Sequence, residues 1–154
     1  MRREEATSLV TRAISAFVRN DTLLLSLGVH ERSIAFRLGL YMSRSRLIRD
    51  PLTIDCEYNR HFGDKKRLNM IPRNAINQSR QPTRVFPDIL VHERNSDANN
   101  VLVLEIKKPE ENLLHDRRKL RAFRDQLHYT HAAHVILGFD HAGNLVRELH
   151  WIDG

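Results

Sequence analysis

Residues 86–109 read FPDILVHERNSDANNVLVLEIKKP. The second half of this stretch, VLVLEIK at 101–107, has the apolar, β-branched content of a buried strand, yet Glu105 and Lys107 interrupt it. A charge in a dry core is costly unless another group pairs with it. Strand side chains alternate faces, so Val101, Val103, Glu105 and Lys107 share one face and Leu102, Leu104 and Ile106 the other. In FPDILVH, Asp88, Leu90 and His92 share a face. The polar segment NSDANN between the two runs is made of turn-forming residues. A hairpin centred near 96–97 brings Asp88 opposite residues near 105. Asp88, Glu105 and Lys107 are therefore expected to converge at one edge of a sheet. Two facing carboxylates repel unless a cation sits between them. Oxygen ligands alone, completed by a backbone carbonyl and waters, suit magnesium or manganese rather than zinc.

Working outward, residues 3–19 read as a helix, with Leu9, Ala13 and Phe17 at four-residue spacing and NDT at 20–22 breaking the pattern. The spacing predicts a second helix over 31–48, striped by Ile34, Ala35, Leu38, Tyr41 and Met42, with Glu31 at the edge of the stripe. LTIDCEY at 52–58 alternates like a strand. Residues 61–84 are rich in Lys and Arg with little periodicity, and read as a long basic loop. Strands are expected near 85–93 and 100–107, a third helix over about 112–127, and two more strands at 132–139 and 145–152. The order α-α-β-β-β-α-β-β predicts an α/β (α+β) domain, a mixed central sheet flanked by helices, over residues 1–154. Residues 1–27 are expected to form an N-terminal helical extension and 28–154 the core.

Of the 154 residues, 41% are hydrophobic and 29% charged, ordinary for a globular chain, but the net charge is +6. That balance favours a polyanionic partner, nucleic acid before an acidic membrane surface. No apolar run reaches membrane-spanning length, and LLLSLGV at 23–29 is too short and too far along to read as a signal peptide, so no membrane partner is expected. The lone Cys56 excludes an internal disulfide framework and favours the cytoplasm. His128, His131 and His134 are three apart, a spacing that does not point three rings at one ion on a strand, which argues against zinc. Phosphate-loop and serine-elbow motifs are lacking.

The pattern of Pro87-Asp88, sixteen intervening residues and Glu105-Ile106-Lys107, set on an expected hairpin followed by a helix and a strand, resembles the PD-(D/E)XK nuclease superfamily, the fold of restriction endonucleases and Holliday junction resolvases. HERSIAFRLGLYM at 30–42 resembles that family's first core helix, which often carries a glutamate, here Glu31. IDCEYNR at 54–60 and the segment from LRAF to ILGF at 120–139 resemble parts of uncharacterised prokaryotic members. The resemblance implies a restriction endonuclease-like fold and a divalent-metal-dependent nuclease, in prokaryotic DNA processing or defence. It implies that Asp88 and Glu105 hold Mg2+ or Mn2+ with the Ile106 backbone carbonyl. Lys107 would orient or help deprotonate the attacking water and stabilise charge. Glu31 would join through water or at a second metal site. Some exonuclease-like members carry a Gln and a Tyr near Gln126 and Tyr129, with one more residue between them than QLHY has here.

Each residue has a plainer reading. Glu105 and Lys107 could be an exposed edge-strand pair, although Val101 and Val103 share their face. Glu31 could simply favour a helix N-terminus. Glu57 could support the site or be solvated. Asp116, three residues before Lys119, could form a salt bridge in a fraying first turn. For substrate contact, Lys65, Lys66 and Arg67 in the basic segment and Arg117, Arg121 and Arg124 along one flank of the third helix are candidates to hold phosphates. Arg73, Arg80 and Arg84 add to the first group. The expected partner is nucleic acid, DNA in preference to RNA, with a homodimer or larger assembly supplying specificity. The alternative is a non-catalytic nucleic-acid- or protein-binding module, or a subunit of a nuclease complex, on the same fold.

Overall fold

A computed structural model describes residues 1–61, 64–71 and 79–153. Arg73 lies outside them. The described chain is mixed α+β, with three helices and a mostly antiparallel sheet. Helices α1 (Arg3–Ser26) and α2 (Glu31–Ser43) come first. Then follow β1 (Thr53–Cys56), β2 (Arg60–His61), β3 (Asp64–Lys65), β4 (Arg67–Met70), β5 (Gln81–Arg84), β6 (Ile89–His92) and β7 (Leu102–Lys107). Helix α3 (Leu114–Leu127), β8 (His131–Phe139) and β9 (Leu145–Trp151) complete the chain. The central sheet has the order β1-β6-β7-β8-β9. Every neighbouring pair in it is antiparallel except β7–β8, which α3 connects.

The hairpin that anchors the fold has the expected register. Ile89 lies across from Leu104 and Leu90 across from Val103, so one further step sets Asp88 opposite Glu105. The two sheet faces have different cover. Leu102, Leu104 and Ile106 pack with α1 and α2, whereas Leu90 and Val103 pack with Leu120 and Phe123 of α3. Both faces being covered explains why β7 and β8 read as near-continuous apolar runs.

Several boundaries differ from expectation. Helix α1 runs past Asn20 to Ser26, although Asp21 (φ −130°, ψ 15°) interrupts its regular geometry. The Asp21 carboxylate accepts from Arg37 Nε at 2.9 Å and from the Tyr41 hydroxyl at 2.5 Å, tying the kink to α2. Gly28, with φ +63°, then adopts the left-handed conformation that ends many helices. Leu9, Val10, Ala13, Ile14 and Phe17 are buried in the same cluster as Ile34, Leu38 and the sheet. Residues 1–27 are thus not an extension but a layer of the core. Helix α2 stops at Ser43, five residues short of the expected end, and α3 starts at Leu114, whose N–H donates to Asn112 Oδ1 at 2.9 Å.

The described part of the basic segment is not a loop throughout. It forms two antiparallel ribbons, β2–β3 and β4–β5. In β4, Leu68 and Met70 turn into the core beneath α3 while Arg67 and Asn69 face outward. Gln126 fastens this ribbon to α3 by bonding both the N–H (2.8 Å) and the C=O (3.1 Å) of Asn69.

Candidate functional site

Strand β6 pairs with β7 only as far as Ile89–Leu104, so the ladder opens where Asp88 begins. The Asp88 carboxylate fills that gap, accepting from the Ile106 N–H at 2.7 Å. A strand residue's C=O leaves on the same side as its N–H, so the Ile106 carbonyl also faces the gap. Glu105, 2% exposed, lies on the α3 face. Lys119 of α3 reaches it, with Nζ 2.6 Å from Oε2, and also donates to the Phe86 carbonyl at 3.3 Å. The other oxygen, Oε1, is buried and has no hydrogen-bond partner among the described residues. Burial pushes the Glu105 carboxyl up to about 8, Lys119 offsetting only part of it and Asp88 adding to the rise. Burial likewise raises Asp88, against the Ile106 N–H and the charges of Lys119 and Lys107.

Lys107 sits one turn of the pleat further on, within reach of three carboxylates. Its Nζ lies 3.3 Å from Asp116, 3.6 Å from Glu31 and 3.8 Å from Glu111. Burial pulls its pKa down, but Asp116, Glu31 and Glu105 outweigh that and raise it. Glu31 is the first residue of α2, so the two helical layers meet the end of β7 from opposite sides. Its carboxyl is raised by burial, with Glu111 and Asp88 contributing and Lys107 opposing.

The structure therefore brings Asp88, Glu105, Lys107, Glu31 and the Ile106 backbone to one end of the hairpin. The remaining candidates lie elsewhere. The Glu57 carboxylate pairs with Arg32 at 2.5 Å, and only its backbone N–H approaches, donating to the Asp88 carbonyl at 3.3 Å. Gln126 is engaged by Asn69 near the far end of α3, away from Asp88 and Glu105. Lys66 is not a surface cation. It is 3% exposed, with Nζ 3.2 Å from the Tyr129 hydroxyl and the rings of Tyr58, Phe123 and Tyr129 around it. Burial pulls its pKa down to about 8. Lys65 and Arg67, on either side, are exposed, as strand alternation requires. On α3, Arg117 and Arg121 are exposed, whereas Arg124 donates to the Ile152 carbonyl at 2.6 Å and clamps the helix to the chain's end.

Sequence reasoning missed three participants. Lys119 and Asp116 fall at i−4 and i−7 to Phe123, on the stripe that α3 turns to the sheet, and that placement was the available signal. Asp116 is 5% exposed and faces Lys107, not a fraying turn with Lys119. The third is His134, directly across from Glu105 on β8. Its Nε2 is buried without a partner among the described residues, and burial pushes the ring down to about 4, so it stands as a neutral donor or acceptor.

Among the described residues, no three His, Cys, Asp or Glu side chains are already drawn together as an ion cage. The chemistry of the donors nonetheless fits a hard cation. They are two adjacent carboxylates and a backbone carbonyl, all oxygen, with one buried carboxylate oxygen lacking a donor. Lys119 supplies positive charge to Glu105 in the meantime. No helix among the described residues is long and apolar enough to cross a membrane. Comparison with protein-family models, curated proteins and solved structures found no match to this chain.

Proposed function

We propose that this protein is a divalent-cation-dependent phosphodiesterase acting on nucleic acid, DNA in preference to RNA, on a restriction endonuclease-like fold. The observation that carries the reading is the meeting of Asp88, Glu105 and Lys107 at the open end of the β6–β7 hairpin, where Glu105 holds a buried oxygen without a donor. The sheet order, with one parallel pair joined through α3, supports the resemblance seen in the sequence. Asp88, Glu105 and the Ile106 carbonyl would hold Mg2+ or Mn2+, which when bound supplies Lewis acidity to the scissile phosphate. Lys107, kept protonated by its carboxylate neighbours, serves as a fixed cation that orients the phosphate and offsets its developing charge. That role suits it better than proton abstraction. Glu31, whose carboxyl is raised, is the better-placed proton acceptor beside it. The test is incubation of the purified protein with supercoiled, linear, single-stranded and branched DNA and with RNA, with manganese and with a chelator. Cleavage of at least one substrate only with the metal is expected; no cleavage of any would overturn the proposal.

A pH dependence follows from Glu105. The folded chain holds this proton up to about 8, against 4.5 for the ordinary carboxyl. The folded state therefore binds the proton more tightly than the unfolded one. Stability without metal is then full below the ordinary value and declines as pH rises through about 8. A cation requires the ionised carboxylate, so its stabilising effect grows over the same interval. Thermal unfolding is expected to show a manganese-induced rise in Tm that increases from about pH 5.5 to about pH 8.5 and vanishes in Glu105→Gln. An increment independent of pH, or one retained in that variant, would refute the link.

One observation favours a second reading. Lys119, 2.6 Å from Glu105, already offsets the charge of this carboxyl once it ionises, as it would in a binding module that needs no metal. In that case manganese raises Tm at no pH.

A further inference from the structure

A concentration of positive charge lies away from the hairpin. A groove of about 890 Å3 runs between α1 and the segment that follows α2. Arg12 and Arg19 line one wall, Arg44 and Arg46 the other. Arg12 and Arg19 are seven residues apart on one helix, hence on the same face and about 10 Å apart along it. All four arginines are exposed, and among the described residues none has a carboxylate partner. Arg44 lies over the Tyr41 ring, 5.5 Å from its centroid, which holds its guanidinium on the groove. The groove also contains Glu4 and Glu5, both at the end nearest the N-terminus, and Glu5 is engaged by the Arg2 N–H at 2.7 Å. Like charges held on facing walls repel one another, so the arrangement is at its most favourable with an anion between them.

We propose that this groove binds the phosphodiester backbone of a nucleic-acid strand, at a site separate from the Asp88–Glu105 centre. Glu31 and Arg44 sit at opposite ends of α2, thirteen residues or about 20 Å apart, so the two sites do not share residues. The lining runs along α1 from Glu4 to Asn20, about 24 Å of helix, which suits a polymer better than a compact anion. A nucleic-acid strand carries one charge per roughly 3.4 Å of rise, dense enough to meet arginines on both walls. The planar guanidinium fork matches phosphate oxygens two at a time. An acidic peptide would need an almost unbroken run of carboxylates to do the same. Hydrolysis at the hairpin is not required for this binding.

The test is fluorescence anisotropy of a labelled single-stranded oligonucleotide in chelator, over a range of salt. Arg12→Ala/Arg19→Ala and Arg44→Ala/Arg46→Ala are each expected to weaken binding about tenfold and to flatten the log–log salt slope by about 1.4. Arg49→Ala/Arg147→Ala, two exposed arginines outside the groove, remove the same charge elsewhere and are expected to change little. Unchanged thermal midpoints confirm that the variants fold. Affinity unaltered in both pairs, an equal loss in Arg49→Ala/Arg147→Ala, or polyglutamate or inorganic tripolyphosphate bound as tightly as the oligonucleotide would each overturn the proposal. Because the metal is chelated throughout, failure of the hydrolytic reading leaves this result legible.

Discussion

Asp88→Asn is expected to lower metal-dependent cleavage by about hundredfold or more while leaving the fold in place. The Asp88 carboxylate stands where the β6–β7 ladder opens and accepts the Ile106 N–H at 2.7 Å. An asparagine there keeps the shape and can present its amide oxygen to the same N–H. What it loses is the negative charge that would hold a cation beside Glu105. Burial already raises the Asp88 carboxyl, so a neutral replacement removes an unfavourable group from the metal-free protein. Its Tm in chelator should match or exceed that of the parent. Asp88→Ala removes the acceptor as well and strands the Ile106 N–H, so it separates loss of charge from loss of the hydrogen bond. Cleavage by Asp88→Asn near the parental rate, measured on the same substrate with manganese, would remove Asp88 from the site.

Phe17→Ala is expected to cost about 3–5 kcal/mol, measured as a lower urea midpoint at unchanged slope. In a protein of this size that corresponds to a fall in Tm of roughly 6–20 °C. Phe17 is fully buried and packs in the cluster that also contains Ile34, Leu38, Leu104 and Val135. Its removal leaves a cavity between a helix and the central sheet, and the packed layers on either side limit collapse into it. A loss below about 1 kcal/mol would mean that α1 is carried alongside the core rather than built into it.

The hairpin was legible because three independent signals coincide in it. Asp88, Leu90 and His92 share one face of their strand, NSDANN marks the turn, and the sum of paired positions fixes which residue faces Glu105. The strip containing β4 and β5 was not legible as strand. QPTR of β5 contains no large apolar residue, and β4 buries only Leu68 and Met70. Such short ribbons take their stability from α3 above them, which no local pattern records. The burial of Lys66 was hidden for the same reason: besides the nearby Tyr58, its aromatic surroundings come from Phe123 and Tyr129, far along the chain. Arg124 and Gln126 carry the chemistry of phosphate or site contacts but are spent on backbone groups of Ile152 and Asn69. Strand spacing thus brought Asp88 and Glu105 to one end of the hairpin, but it recorded neither the pairing of Glu57 with Arg32 nor the partners of Lys66 and Arg124. A long cationic side chain is drawn to whichever partner the tertiary fold provides, as Lys119 is to Glu105 and Lys107 to Asp116.

The groove between α1 and the segment that follows α2 would add a second element to the proposed activity. A nucleic-acid strand held there would be anchored about 20 Å from the hairpin, along the axis of α2. Anchoring by phosphates alone positions a substrate without reading its sequence.

The most direct measurement is the anomalous difference density of a crystal grown with Mn2+ above about pH 8, where Glu105 ionises. A single strong peak is expected between the Asp88 and Glu105 carboxylates, against the Ile106 carbonyl, with the Lys119 ammonium drawn away from Glu105. A map with no peak there and Lys119 still bound to Glu105 would contradict the proposed metal site.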